Sequence, residues 1–305
     1  MINRLPPWFR QDISDDKTLS LINLFSQFRI HSVCQKARCP NITYCFKNKR
    51  FTFLLLGDTC TRNCSFCNIK KSEKSGTFLH PIEGRSFTQS EECPHCLDKE
   101  PYKISQVVKI LGLKYVVITS VTRDDLSDGG AAQFAKTINL IHKVNEDIKV
   151  EVLIPDFQGK ISSLKCILIA KPFIVAHNIE TVERLYAELR PAANYQLSLG
   201  ILSKIKELNP QIITKSSIML GMGETKEEVI CTMEDLRKHN CDILTLGQYL
   251  APSVNHYPVK EFINIEQFQE YKDIGLRVGF KSILSGPLVR SSYQAEKVSE
   301  ELLYV

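Results

Sequence analysis

Tryptophan occurs once and methionine four times in the 305 residues, and glycine and proline number only 14 and 13. Collagen-like and Gly/Pro-rich low-complexity chains are thereby excluded. No apolar run approaches the ~20 residues a membrane span needs; FTFLLL at 51–56 is typical of the runs present. The sequence therefore predicts no membrane partner. Neither sign of charge is in excess: 39 Lys and Arg face 34 Asp and Glu, for a net charge of +5. So mild and scattered a balance predicts no nucleic-acid partner. Internal repeats are absent. No Gly-rich turn follows the first strand-like segment, which counts against a dinucleotide-binding fold. The opening MINRLPPWFRQD has neither the apolar centre of a secretory signal nor a long Arg/Ser-rich amphipathic stretch. A cytoplasmic location is expected on that ground.

What the sequence has in plenty is cysteine. There are 11, and six fall between Cys34 and Cys67. In a reducing compartment, clustered cysteines read as metal ligands or redox groups, not disulfides.

From residue 51 the pattern alternates. Strands are expected at 51–57, 114–120, 149–155, 173–177, 216–223, 242–247 and 278–284. Helices are expected at 103–112, 131–146, near 161–170, and at 179–190, 225–240 and 265–274. Strict alternation implies a parallel sheet with helices outside, and six or seven units suit a complete or partial β/α barrel. The polar loops DTCTRNCSFC, TRDDLSDGG, HN, GMGE and GQY fall after strands, where barrels carry their chemistry. Residues 1–50 form an N-terminal extension, 51–285 the barrel, and 286–305 a C-terminal tail. A polar excursion is expected at 71–100.

Cys60, Cys64 and Cys67 form C-x3-C-x2-C directly after the first strand. Three thiolates on a short loop can hold three irons of a [4Fe–4S] cluster, which ordinarily takes four cysteines. The fourth iron is left open for a chelating cofactor, as an open position marks a catalytic zinc. A structural zinc with a distant fourth ligand is the plainer alternative. Cys34, Cys39 and Cys45 form a second triplet, C-x4-C-x5-C, and suggest a second cluster; buried packing cysteines are the alternative.

The first triplet and its placement resemble the radical S-adenosylmethionine enzymes. Within them the chain resembles the lipoyl synthase family. The likeness runs through PPWFR, VCQKARCPNITYC, the triplet at 60–67, TSVTRDDLSDGGA (119–131), EVLIPDFQG (151–159), HNIETVERLY (177–186), TKSSIMLGMGET (214–225), LTLGQYLAPS (244–253) and GPLVRSSY (286–293). It implies an α/β fold, a partial (β/α)6-type barrel whose site the C-terminal tail closes. It also implies insertion of two sulfur atoms, at carbons 6 and 8, into an octanoyl chain linked to a lysine of a carrier protein or domain. Two [4Fe–4S] clusters and S-adenosyl-L-methionine are the implied cofactors. The cluster on Cys60, Cys64 and Cys67 would cleave S-adenosylmethionine to a 5′-deoxyadenosyl radical. The cluster on Cys34, Cys39 and Cys45 would be consumed as the sulfur source. Its fourth ligand would be a serine of the RSSY motif, Ser292 by alignment, with Ser291 the second choice. Serine oxygen is a harder, weaker partner for iron than thiolate. An electron donor of flavodoxin or ferredoxin type and a factor that rebuilds the cluster are implied partners.

Contacts to S-adenosylmethionine are expected from Asp124 and Asp128 after the second strand. Asn178 and Glu180 follow the fourth strand, and Gly221 and Glu224 the fifth. Each has a plainer alternative: Asp128-Gly129-Gly130 as a turn and helix start, Asn178 as a helix N-cap, Thr225 and Glu228 as a capping box. His177, Gln248 and Tyr249 either line the mouth or merely pack there. Two features depart from the family pattern. Phe46 stands where tryptophan is usual, and the 71–100 segment is extended and carries Cys93 and Cys96 near His80 and His95, half a zinc site at best. Two other readings stay open: a methylthiotransferase-like sulfur-inserting enzyme and a non-enzymatic iron–sulfur protein.

Overall fold

Short β-branched runs separated by amphipathic stretches specify parallel strands covered by helices. The computed structural model describes residues 6–9, 16–72 and 94–301, without the side chains of 94–97 and 299–301. The strands are β1 (His31–Ser32), β2 (Thr52–Leu55), β3 (Thr59–Cys60), β4 (Lys70–Lys71), β5 (Tyr115–Ser120), β6 (Lys149–Leu153), β7 (Ile174–Ala176), β8 (Ile213–Leu220), β9 (Ile243–Gln248) and β10 (Ser282–Gly286). The helices are α1 (Asp16–Phe28), α2 (Val33–Lys36), α3 (Ile42–Lys47), α4 (Pro94–Leu111), α5 (Ala131–Val144), α6 (Ile161–Ile169), α7 (Tyr186–Leu189), α8 (Tyr195–Leu208), α9 (Lys226–Lys238), α10 (Ile265–Val278) and α11 (Ala295–Glu301). Among the described residues, no helix is long and apolar enough to cross a membrane.

One sheet runs β1-β2-β5-β6-β7-β8-β9-β10. Its strands pair in parallel from β2 to β10, and β1 adds an antiparallel edge on β2. The order follows the sequence, as a barrel wall does. The sheet curls: Thr52 of β2 and Gly247 of β9 line the same cavity. Among the described residues strand pairing does not close the ring, since β10 bonds only to β9. The chain after β10 spans the gap instead, where the Thr52 hydroxyl donates to Ser292 Oγ at 2.8 Å. Where the tail crosses β9 only glycine fits, because a Cβ on Gly247 would lie 2.0 Å from the Val289 carbonyl oxygen.

The N-terminal segment docks through aromatic rings. Phe25 of α1, Phe46 of α3, Phe53 of β2 and Phe51 just before it form a buried cluster with centroids 4.9–6.0 Å apart. Offset and edge-on pairs of this kind add about 0.5–1.5 kcal/mol each beyond area burial. Phe46, the departure from the family's tryptophan, is thus a core residue, 2% exposed.

Several elements differ from expectation. Helix α4 starts at Pro94, not 103, and carries Pro101 inside. That proline gives up one ladder bond, but the turn before it is held by Glu100, whose carboxylate accepts from the Leu56 amide at 2.9 Å. The expected helix at 179–190 shrinks to a 3-10 turn, Glu183–Leu185, and the single turn of α7. There Glu180 sits at φ 69° and bridges to Ile218 of β8, which keeps the chain extended after β7. Helices α1 and α8 were not anticipated. Cys93 and His80 lie outside the described residues, and of His95 and Cys96 only the backbone, in α4, is described.

Inside the barrel, Lys215 of β8 donates to Glu151 of β6 at 2.7 Å, and Tyr115 of β5 donates to the other carboxylate oxygen at 2.6 Å. Both partners of the ion pair are 1% exposed. Removing one partner of such a pair strands the other charge. Lys215→Met is expected to lose about 3–5 kcal/mol of stability in urea unfolding. Lys215→Met with Glu151→Leu should recover most of that loss.

Candidate functional site

The strands end in a cavity of about 500 Å³ at their C-terminal edge. Its wall includes Cys34 and Cys39, all of Cys60, Cys64 and Cys67, and Asn178, Glu180 and Ser292. His177, Gln248 and Tyr249 also line it.

Local structure sets each thiol. Ser32 caps α2 by accepting from the Cys34 amide at 3.1 Å. The Cys39 amide donates to the Cys34 carbonyl at 2.9 Å, and the Cys45 amide to the Asn41 carbonyl at 2.8 Å. The second triplet is therefore carried on two short helices and the turn between them. Cys45 is not part of the cavity wall. Its thiol is pushed up to about 12 by burial and by Cys34 and Cys39. Cys34 is raised to about 11, by burial first and then Cys39.

The loop with Cys60, Cys64 and Cys67 is closed at its base by β3 pairing in parallel with β4. Inside it, Arg62 makes two forked ion pairs. Its Nε and Nη2 donate to Asp124 at 2.8 and 2.9 Å, and its Nη1 and Nη2 to Asp156 at 2.5 and 2.6 Å. Burial alone would lower the guanidinium's pKa, but its bonds to Asp156 and Asp124 outweigh that and raise it. For Asp156, likewise, burial pulls up but Arg62 holds the carboxyl below its usual range. Such bidentate pairs fix geometry as well as charge. Thr61 adds a further tie by donating through both its amide and its hydroxyl to the Thr122 carbonyl at 3.0 Å. The cysteine loop is thus anchored to the ends of β5 and β6 by protein alone. Burial raises Cys67 to about 12 and raises Cys64 too, against the pull of Arg190.

Arg190 and Arg62 are functional candidates that the sequence reading missed. Arg190 stacks 5.0 Å over Tyr186 and donates Nη1 to the Ile179 carbonyl at 3.1 Å and the Tyr186 hydroxyl at 2.7 Å. It lines the cavity, and its buried Nε has no hydrogen-bond partner among the described residues. Only its place at the end of a helical stretch could have flagged it.

The expected cofactor contacts divide. Asn178 and Glu180 face the cavity and bond to each other, Nδ2 to Oε1, at 3.0 Å. Asn178 caps no helix. Asp124, Asp128, Gly221 and Glu224 are not part of the wall. Asp124 is engaged by Arg62. Asp128 caps α5, accepting from the Gly130 and Ala132 amides, each at 2.8 Å. Glu224 accepts from the Gly221 and Met222 amides. Gly221 leaves room for Gln248, whose Nε2 would lie 2.1 Å from an added Cβ. Thr225 and Glu228 form the capping box of α9.

The donor set bears on what the cavity can hold. Among the described residues every cysteine is unpaired, and no three His, Cys, Asp or Glu side chains gather closely enough to hold a single metal ion. Buried, mutually repelling thiols ionise only beside added positive charge, which coordinated iron supplies.

Residues 54–236 match the Radical SAM superfamily. The lipoyl synthase of Caldicellulosiruptor bescii is 48% identical over 97% of this chain and 95% of that protein. That of Aquifex aeolicus is 49% identical over 92% of this chain and 94% of that protein. The chain belongs to the lipoyl synthase family. Membership makes it a sulfur-inserting enzyme whose superfamily uses a [4Fe–4S] cluster and S-adenosylmethionine, with an octanoylated carrier as substrate. Among solved structures, the FeFe-hydrogenase maturase HydG from Carboxydothermus hydrogenoformans superposes with a TM-score of 0.53 at 14% identity. The match covers 83% of this chain and 65% of HydG. Streptococcus suis SuiB bound to S-adenosylmethionine gives 0.53 at 14% identity, over 88% of this chain and 61% of SuiB. At that identity these likenesses show the shared barrel fold alone.

His177 generates a pH prediction. A carbonyl can only accept, so Nδ1 donates to the Ile154 carbonyl at 2.9 Å, and the buried Nε2 has no partner among the described residues. Burial, with Arg190 nearby, pulls its pKa down to about 4. An unfolded histidine titrates near ~6.5. The unfolded chain therefore takes up the proton first, and stability present above that value is lost as pH falls toward about 4. Urea unfolding of the iron-free protein should lose about 2 kcal/mol more between pH 7 and pH 5 than the His177→Gln variant does.

Proposed function

We propose that this chain inserts sulfur at carbons 6 and 8 of an octanoyl group amide-linked to a lysine of its carrier. One observation carries this reading: a single cavity is walled by cysteines from both triplets, by Asn178 and Glu180, and by Ser292. Two cysteine sets facing one space suit a reaction in which hydrogen is removed and sulfur delivered at the same carbon.

Cys60, Cys64 and Cys67 would hold the cluster that binds S-adenosylmethionine. Cys34, Cys39, Cys45 and Ser292 would hold a second, auxiliary [4Fe–4S] cluster. Cysteine thiolates are the usual ligands of a [4Fe–4S] cluster, and each triplet supplies three. When bound, these groups supply reductive cleavage of the sulfonium, abstraction of hydrogen from unactivated carbon, and the sulfur itself.

The chain's own residues bind, orient and exclude. Arg62 and its two carboxylates give the loop that carries the three thiols a set shape, which would limit the reorganisation that loading requires. Asn178 and Glu180 offer polar atoms suited to ribose hydroxyls. The buried, partly unpartnered guanidinium of Arg190 suits a carboxylate beside Cys64. Apolar residues, among them Leu54, Val117, Leu153 and Ile218, line the rest of the cavity and suit an acyl chain. They also keep water from a reactive carbon. Ser292 offers a hydroxyl, already bonded to Thr52, as a replaceable fourth ligand. A flavodoxin- or ferredoxin-type donor would supply the electrons, and a separate factor would rebuild the consumed cluster. A reducing, cytoplasmic setting suits so many unpaired thiols.

A single-turnover assay tests the proposal. Anaerobically reconstituted protein receives S-adenosylmethionine, a reductant and an octanoyl-lysine peptide. The peptide is expected to gain two sulfurs as about two 5′-deoxyadenosines form, while Cys39→Ala still cleaves S-adenosylmethionine but adds no sulfur. Deoxyadenosine without sulfur in the wild type would reopen the substrate. No deoxyadenosine at all would point to an iron–sulfur protein without this activity.

A further inference from the structure

The two serines of the RSSY segment take different partners. Ser292 accepts from Thr52 on β2 at 2.8 Å. Ser291 donates to Asn178 Oδ1, after β7, at 3.0 Å. The same tail is tied to the N-terminal triplet, because Asn41 Nδ2 donates to the Leu288 carbonyl at 2.6 Å. Residues of one strap thus reach the turn between Cys39 and Cys45 and, through Asn178, the wall that Cys60, Cys64 and Cys67 share.

An asparagine amide has two donor hydrogens and two acceptor lone pairs. In Asn178, Glu180 takes one donor and Ser291 fills one acceptor. A hydroxyl on one side and a carboxylate on the other fix which end of the amide points where. Among the described residues nothing takes its other donor or its other acceptor, and Asn178 lines the cavity. That is the complement of a vicinal diol, such as a ribose offers.

We infer that Ser291 is a positioning residue for the S-adenosylmethionine site, orienting the Asn178 amide and so linking cofactor binding to the tail that carries Ser292. The inference rests on the proposed function, in which Asn178 meets the cofactor. Ser291 acts through Asn178 and touches no reacting atom. Coupling of this kind is reciprocal. If the tail orders the amide for the cofactor, the bound cofactor must in turn hold the tail down.

The test uses the holoenzyme with both clusters, and S-adenosylhomocysteine as an unreactive probe. Anaerobic calorimetry would compare wild type, Ser291→Ala and Ser291→Thr, alongside iron per chain and far-UV circular dichroism. Ser291→Ala is expected to bind the probe about five- to tenfold more weakly, the effect of one lost neutral hydrogen bond. Ser291→Thr, which keeps the hydroxyl, should stay within about twofold of wild type. Iron content and dichroism should not change. Hydrogen exchange in peptides spanning 286–293 should slow on probe binding in wild type and not in Ser291→Ala. If Ser291→Ala binds as wild type does, or the tail's exchange ignores the probe, the inference falls and the proposed function stands. Loss of iron in Ser291→Ala would also overturn it, by making Ser291 a cluster ligand. A wild-type holoenzyme that binds no probe would overturn the proposed function and the inference together.

Discussion

A buried guanidinium held by two carboxylates organises the mouth of this barrel. Arg62 stands between Cys60 and Cys64, and its forks reach Asp124 after β5 and Asp156 after β6. Its side chain is 8% exposed and that of Asp156 1%. At that burial an unmatched charge costs several kcal/mol, so the three groups place one another. The loop carrying three thiols therefore has a defined shape set by protein charges. The rest of the site follows from it: Ser65 at the loop's far end donates to the Leu189 carbonyl of α7 at 3.0 Å. That contact sets the turn bearing Arg190 beside Cys64.

How much of this could be read from residues alone depends on the range of the interaction. Alternating β-branched and amphipathic runs are local signals, and they predict the parallel sheet, its order and the polar loops at its C-terminal edge. The cysteine triplets are local too, and spacing alone marks them. Helix α8 escaped because the stretch before it, 179–190, also has helical periodicity and absorbed the assignment. What removes the helix there is a contact of Glu180 with β8, far away in sequence. The same limit governs the site. Asp124, Asp128 and Glu224 look like free carboxylates in the sequence, yet each already serves an ion pair, a helix cap or a loop. Arg62 looks like loop filler until partners 62 and 94 residues away meet it.

The barrel's remaining opening is closed by a different kind of bond. Between β2 and β9 the wall is a ladder of backbone hydrogen bonds, backed by buried side chains on both faces. Between β10 and β2 it is a strap tied by the side chains of Asn41, Thr52 and Asn178, with Val289 buried and Tyr293 beside Tyr44. A neutral side-chain bond contributes about 0.5–1.5 kcal/mol, far less than a cooperative ladder with its packed core. Among the described residues no strand pairing crosses this seam, so the strap is the part of the wall whose parting breaks no ladder bond. It is also the part that bears the Ser292 hydroxyl. The proposed function asks that hydroxyl to serve as a ligand that is given up, and a place on the element that costs least to move suits that role. A cysteine on β2 or β9 would be held as firmly as the barrel itself. In the proposed reading, a weak donor on the seam and thiols on the anchored loop and helices would separate what stays from what yields within one cavity.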